Sequence, residues 1–170
     1  MTTYIALLRA VNVGGTGKLP MADLKSVCVE AGFDKVQTYI ASGNIVFESQ
    51  EPAARVKSAL ESRLHDYAKK PIDVFVRTAA EMRAVLAANP FKKPEPRFVY
   101  AFFLGEKPPA DAATNMKHRV NEEIHIGKRE LYIYYPQGMG QSKLVISAAA
   151  RGTARNMNTV AKLVALSLSS

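Results

Sequence analysis

The chain has one cysteine and three histidines among 170 residues, and its 15 acidic side chains are outnumbered by 23 basic ones. Each shortage excludes something. A lone cysteine, Cys28, cannot form an internal disulfide, which fits a reducing cytosol. It falls on the stripe Met21, Leu24, Cys28 and Ala31 of an expected helix, where a small core residue is the better reading than a nucleophile. His65, His118 and His125 have no metal-ligand spacing and no neighbouring cysteine pair, so no metal and no cofactor are read. No apolar run approaches the roughly 20 residues that span a bilayer. The opening Met1-Thr-Thr-Tyr-Ile-Ala-Leu-Leu8 lacks the basic segment and small-residue cleavage site of a signal peptide. The expectation is a soluble, cytoplasmic protein with no membrane partner. A serine nucleophile has no G-x-S-x-G elbow to sit on. Glu122 and Glu123 are adjacent in an expected hairpin and would point to opposite faces, so they form no two-carboxylate pair.

The shortage of acid leaves a net charge of +8, which attracts polyanions, nucleotides or anionic surfaces at low salt. With 48% hydrophobic and 22% charged residues the chain can bury a sizeable core. Its length suits one domain, or two small subdomains sharing an interface.

Tyr4–Arg9 reads as a buried strand running into the glycine-rich stretch before Lys18. A helix follows from about Pro20 to Ala31, with proline at its start, Asp23 in its first turn and Gly32 past its end. Val36–Ala41 and Ile45–Glu48 flank Ser42-Gly43-Asn44, a tight-hairpin signal because such turns need positive φ. A second helix spans Pro52 to Ala68, with Val56, Leu60, Leu64 and Tyr67 at helical spacing, and Ile72–Val76 is a strand. The first 77 residues are therefore βαββαβ, the ferredoxin-like order. Thr78 starts a helix with capping-box spacing to Glu81, Asn89-Pro90 ends it, and residues 91–96 form a proline-stiffened linker. The pattern then restarts: a strand over Arg97–Leu104, a short helix over Ala110–His118, and a hairpin of Glu123–His125 and Glu130–Tyr135. A helix over Leu144–Ala150 and a final one from near Ala154 complete it. The expected fold is α+β, two ferredoxin-like halves in tandem with helices packed on one face of antiparallel sheets. Residues 1–77 and 97–170 are the halves, and 78–96 connect them.

Three sets of residues suit chemistry. The Asn12–Lys18 loop invites comparison with a P-loop and fails it, because the first glycine position is Asn12 and Leu19 follows Lys18 in place of a hydroxyl. It is no dinucleotide fingerprint either, since position 20 is proline. Two readings stand: Gly14 and Gly15 offer backbone N–H groups to an anion beside Lys18, or the glycines serve the turn alone. The second set is Arg155, Asn156 and Asn158, placed by Thr153 as cap in or near the first turn of the last helix. Arginine there opposes the helix dipole, unless a negatively charged partner sits nearby. The third is at strand ends: Arg9, Arg77, Ser42 and Asn44. Tyr39 and Phe47 present rings on an open sheet face in an RNA-binding reading, whereas simple strand packing is the favoured one. Lys143, after Ser142 and two glycines, is a further anion holder at a helix start.

Tyr4-Ile-Ala-Leu-Leu-Arg-Ala-Val-Asn-Val-Gly-Gly15, Lys18-Leu-Pro-Met21, Thr38-Tyr-Ile-Ala-Ser-Gly-Asn44, Asn89-Pro-Phe91, Gly140-Gln-Ser-Lys143 and Thr153-Ala-Arg-Asn-Met-Asn-Thr159 together resemble the bacterial DUF1697 family, in order over nearly the whole chain. The resemblance implies an α+β fold with two ferredoxin-like halves and carries no established reaction. The family's C-terminal motif usually reads Arg-Asn-Trp-Asn, and Met157 stands here in the tryptophan's place. A ring that packs the core is replaced by methionine with little loss, whereas a ring stacked on a base or sugar is not.

The leading expectation is a protein that binds a phosphate-bearing small molecule or nucleic-acid backbone through Arg9, Asn12, Gly14, Gly15, Lys18, Ser42 and Asn44. Arg155, Asn156 and Asn158 would close that site if the halves pack together. Two alternatives are an enzyme acting on a small phosphorylated or carboxylated metabolite, and a protein-interaction module. The oligomeric state is left open.

Overall fold

The structure, a computed structural model, describes residues 1–12 and 18–168. It divides into two compact units, Met1–Met82 with Leu163–Ser170, and Arg83–Lys162.

In the first unit, β1 (Thr2–Leu8) is an apolar run, as a strand buried on both faces requires. Tyr4, Ala6 and Leu8 join the core, and the alternating Ile5 and Leu7 are buried as well. Helix α1 (Met21–Glu30) follows Pro20 and buries Leu24, Val27 and Cys28. Gly32 at φ 88° turns the chain out of it. Strands β2 (Asp34–Thr38) and β3 (Asn44–Ser49) lead to α2 (Ala53–Ala68), which buries Val56, Leu60 and Leu64 as its spacing predicts. Strand β4 (Val74–Thr78) completes an antiparallel sheet of order β2-β3-β1-β4. The βαββαβ order is the one read from the sequence. Fully burying each Leu or Ile of this core stabilises by about 1.5–3 kcal/mol, so two helices of three core positions each hold firmly to the sheet.

Phe47 lies in that helix-side core, with its ring stacked on Phe33 at 4.4 Å, and Tyr39 is half-buried in the turn after β2. Phe47 therefore presents no ring on an open sheet face, because the register of β3 puts it on the side of α1 and α2. Helix α3 (Ala79–Ala87) starts with the expected reciprocal cap: Glu81 N–H donates to Thr78 Oγ1 at 3.1 Å, and Thr78 N–H to Glu81 Oε1 at 2.8 Å.

In the second unit a 3₁₀ turn, Pro96–Phe98, enters β5 (Val99–Phe103). Then come β6 (Met116–Lys117), β7 (Glu123–Ile126), β8 (Glu130–Tyr134), β9 (Val145–Ile146) and β10 (Thr153–Asn156), followed by α4 (Met157–Leu168), whose residues from Leu163 on belong to the first unit. The main sheet is antiparallel with order β10-β5-β8-β7, and β6 pairs with β9 in a separate ribbon. Counted within each unit, the strands of both sheets have the same spatial order. The connections differ. Neither expected helix forms, at Ala110–His118 or at Leu144–Ala150. The first stretch is hydrogen-bonded turns, with Asp111 O accepting from Thr114 and Asn115 N–H, followed by β6. Asp111, Thr114 and Asn115 are residues whose side chains compete with helical backbone bonding. The second contains β9, where the β-branched Val145 and Ile146 favour a strand, and a 3₁₀ turn at Ser147–Ala149. No helix begins after Lys143, so that expected anion-holding helix start is absent.

The last helix also starts later than expected. Residues 153–156 form an edge strand along β5, and Gly152 permits it, because a Cβ there would meet Phe103 O at 2.7 Å. Asn156 replaces Thr153 as the cap: its Oδ1 accepts the Thr159 N–H at 2.9 Å. Along this helix Met157, Val160, Leu163 and Val164 are buried, whereas Leu168 is 65% exposed.

Candidate functional site

The end of β1 supplies the best-formed polar site of the first unit. Leu8 N–H donates to Gly43 O and Arg9 N–H to Asp73 O, which fixes the strand's exit between the hairpin turn and β4. Ala10 and Asn12 then both adopt φ 56°, a left-handed conformation that is uncommon outside glycine. The Asn12 side chain holds this exit in place. Its Oδ1 accepts Leu19 N–H at 2.6 Å, and its Nδ2 donates to Leu19 O at 2.9 Å and Ala41 O at 2.8 Å. Asn12 thus clamps the two ends of the glycine-rich loop, with its amide already engaged by backbone. Gly14 and Gly15 lie outside the described residues.

Beside this clamp is a pocket of about 660 Å³ whose walls include Arg9, Lys18, Tyr67, Lys70 and Asp73. The β1 exit brings Arg9, and the residue before Leu19 is Lys18. The α2 C-terminus brings Tyr67, and the left-handed Lys69 that ends α2 aims the chain so that Lys70 joins the wall. The Tyr67 hydroxyl donates to Asp23 Oδ2 at 2.5 Å, which ties α2 to the first turn of α1 and raises the phenol pKa. Three cationic groups against one carboxylate give the pocket a positive potential.

The other expected residues are placed as follows. Asn44 is fully buried, and its Nδ2 donates to Tyr39 O at 2.8 Å and Ser42 Oγ at 2.9 Å, so Ser42 and Asn44 brace the hairpin. Arg77 is 2% exposed on β4 and donates to Val76 O at 3.1 Å; it does not line the pocket. Arg155 on β10 is 5% exposed, donates to Thr153 Oγ1 at 2.7 Å and Ala154 O at 2.8 Å, and has its pKa lowered to about 10 by burial. Asn156 caps α4 and Asn158 is exposed on it. Lys143 is exposed on the rim of a different pocket in the second unit. Cys28 is buried with its thiol pKa pushed up to about 12, as a core residue requires. Among the described residues no group of three or more His, Cys, Asp or Glu side chains could hold a metal ion, and no helix is long and apolar enough to cross a membrane.

Sequence reading missed Lys70, Tyr67 and Asp73. The adjacent Lys69-Lys70-Pro71 just past a helix end was the available signal.

The profile described as "Protein of unknown function (DUF1697)" matches residues 1–132. The chain belongs to the DUF1697 family. The match covers the pocket at the β1 exit and stops within β8, short of the second unit's last strands. A solved structure, that of the conserved bacterial protein SP0830 from Streptococcus pneumoniae, is similar to this DUF1697 chain with a TM-score of 0.79 and 23% identity. The likeness covers 98% of each chain and speaks for the fold alone. No curated protein matches the chain.

Met157, where the resemblance implies a tryptophan, is 3% exposed. Its burial favours the packing role for this position over a stacking one.

Proposed function

We propose that this protein binds a phosphate-bearing small molecule in the first-unit pocket at the β1 exit. The observation that carries the reading is the convergence of Arg9, Lys18 and Lys70 on one pocket of about 660 Å³. The cations hold the phosphate charge, with arginine offering a planar fork and the lysines point charges. Asn12 is a positioning residue that keeps Lys18 beside Arg9. The left-handed Ala10 and Asn12 cost of order 1–3 kcal/mol each, and such strain clusters at binding sites. A small ligand is favoured over nucleic-acid backbone because Phe47 packs inside the core and is not available for base stacking. The two units share one strand order, which supports reading the second as a ferredoxin-like layout whose helices are replaced by the β6–β9 ribbon. The single, buried cysteine suits the cytoplasm.

A thermal-shift screen against inorganic phosphate, nucleotides, sugar phosphates and short RNA and DNA tests the proposal. A ligand at a hundredfold excess over Kd adds about 2.7 kcal/mol to folding stability. A selective small-molecule shift lost in Lys18→Ala/Lys70→Ala supports it. A shift confined to polynucleotides, or none at all, overturns it.

A further inference from the structure

The pocket on which Lys143 lies belongs to the second unit and plays no part in the function proposed above. Its volume of about 470 Å³ falls within the range of small-molecule sites, roughly 300–1,000 Å³. Two segments build it: the turn 118–122 before β7, and the stretch 135–143 after β8. Glu122 joins them. It is buried, accepts the Val120 N–H at 2.7 Å, and accepts the Ser142 hydroxyl. The Ser142 oxygen in turn accepts the Leu144 N–H at 3.1 Å, and Arg119 Nε donates to Glu122 O at 2.7 Å. The site is therefore assembled before any ligand arrives, with little ordering cost left to binding.

Its polarity is divided by depth. The buried floor holds the Glu122 carboxylate, kept ionised by the Ser142 hydroxyl bond and the backbone N–H groups despite its burial. Beside it is Tyr135, 5% exposed, whose phenol keeps its proton because burial and the Glu122 charge both raise its pKa. No described residue gives the Tyr135 hydroxyl a hydrogen-bond partner. The exposed rim carries His118, Arg119 and Lys143, with the amides of Gln137 and Gln141. A bare anion is repelled by Glu122 at the floor, and a neutral polyol leaves the cationic rim unused. A molecule with hydroxyls at one end and a dianion at the other suits both.

The geometry points to a second ligand site here, for a hydroxylated phosphate monoester. The hydroxyls face Glu122, Ser142 and Tyr135, and the phosphate faces Lys143 and Arg119. A free sugar phosphate and the ribose phosphate of a nucleotide share this chemistry.

Isothermal titration of the full chain with ribose 5-phosphate, adenosine monophosphate, ribose and inorganic phosphate tests it, using Lys143→Gln, Tyr135→Phe and Lys18→Ala. The expected result is binding of ribose 5-phosphate that weakens on the order of tenfold in each of the first two variants, as loss of a hydrogen bond to a charged or buried group implies. In the Lys18→Ala variant, where first-unit binding is weakened, the Lys143-dependent binding of ribose 5-phosphate remains, which separates this site from the first-unit pocket. Equal binding of adenosine monophosphate shows that the ribose phosphate is read, and its exclusion identifies the free sugar phosphate. Lys143 is exposed, so its variant reports on binding even if Tyr135→Phe lowers stability. The proposal fails if inorganic phosphate binds as tightly as ribose 5-phosphate, if Lys143→Gln binds as wild type does, or if no probe binds.

Discussion

A side chain at position 43 would have to enter space already filled by Val11 Cγ2 at 2.8 Å and Leu8 Cβ at 2.9 Å, on a backbone at φ 88°. Gly43→Ala is therefore expected to destabilise the protein by about 2 kcal/mol, read from the urea midpoint, because strain and overlap act together. An unchanged midpoint would mean that the turn relaxes at no cost. A second residue-scale prediction concerns acid. The Ser142 hydroxyl and backbone N–H groups hold the Glu122 carboxyl below the ordinary carboxylate range, so their contribution is present above the unfolded pKa and is lost as pH falls through the folded one. Ser142→Ala should lower Tm at pH 7, and the gap from wild type should close as pH falls below the ordinary carboxylate range. A gap that persists in acid would show that the hydroxyl acts by packing alone. Gly43 and Asn44 were legible in the sequence because turn chemistry is local. The Asn12 clamp was not, because its partner Ala41 lies 29 residues away and nothing local marks the pair.

At the scale of elements, the start of α4 decides what Asn156 is for. If it is a cap, Asn156→Ala costs about 1 kcal/mol of stability and Asn156→Asp restores most of it, since either side chain accepts the Thr159 N–H. If it is a ligand donor, stability hardly changes and phosphate affinity falls instead. The first half's elements were readable because α2 repeats its apolar positions over 16 residues and β1 is one apolar run. The second half's helices were misread because stretches of seven to nine residues around 110–118 and 144–150 carry too few turns to separate helix from ribbon. There, the pairing of β6 with β9 completes what Asp111, Thr114, Asn115, Val145 and Ile146 favour locally.

For the whole molecule, the net charge of +8 announced an affinity for anions and could not say where. Arg9 and Lys18 were visible candidates, whereas Lys70 joins them through the left-handed end of α2, a feature of the folded chain alone. A small-ligand pocket with three cations should show a shallow dependence of log Kd on log salt, while a polynucleotide neutralising many phosphates gives a slope near 0.9 per contact. The most direct test is titration calorimetry of wild type and Lys18→Ala/Lys70→Ala with the phosphate-bearing ligand that gives the largest thermal shift, at two salt concentrations. The account predicts a first-unit site in wild type with a weak salt dependence, and a loss of its affinity on the order of a hundredfold when both lysines are removed, about 1.4 kcal/mol for each. Equal affinity in the double variant would contradict it.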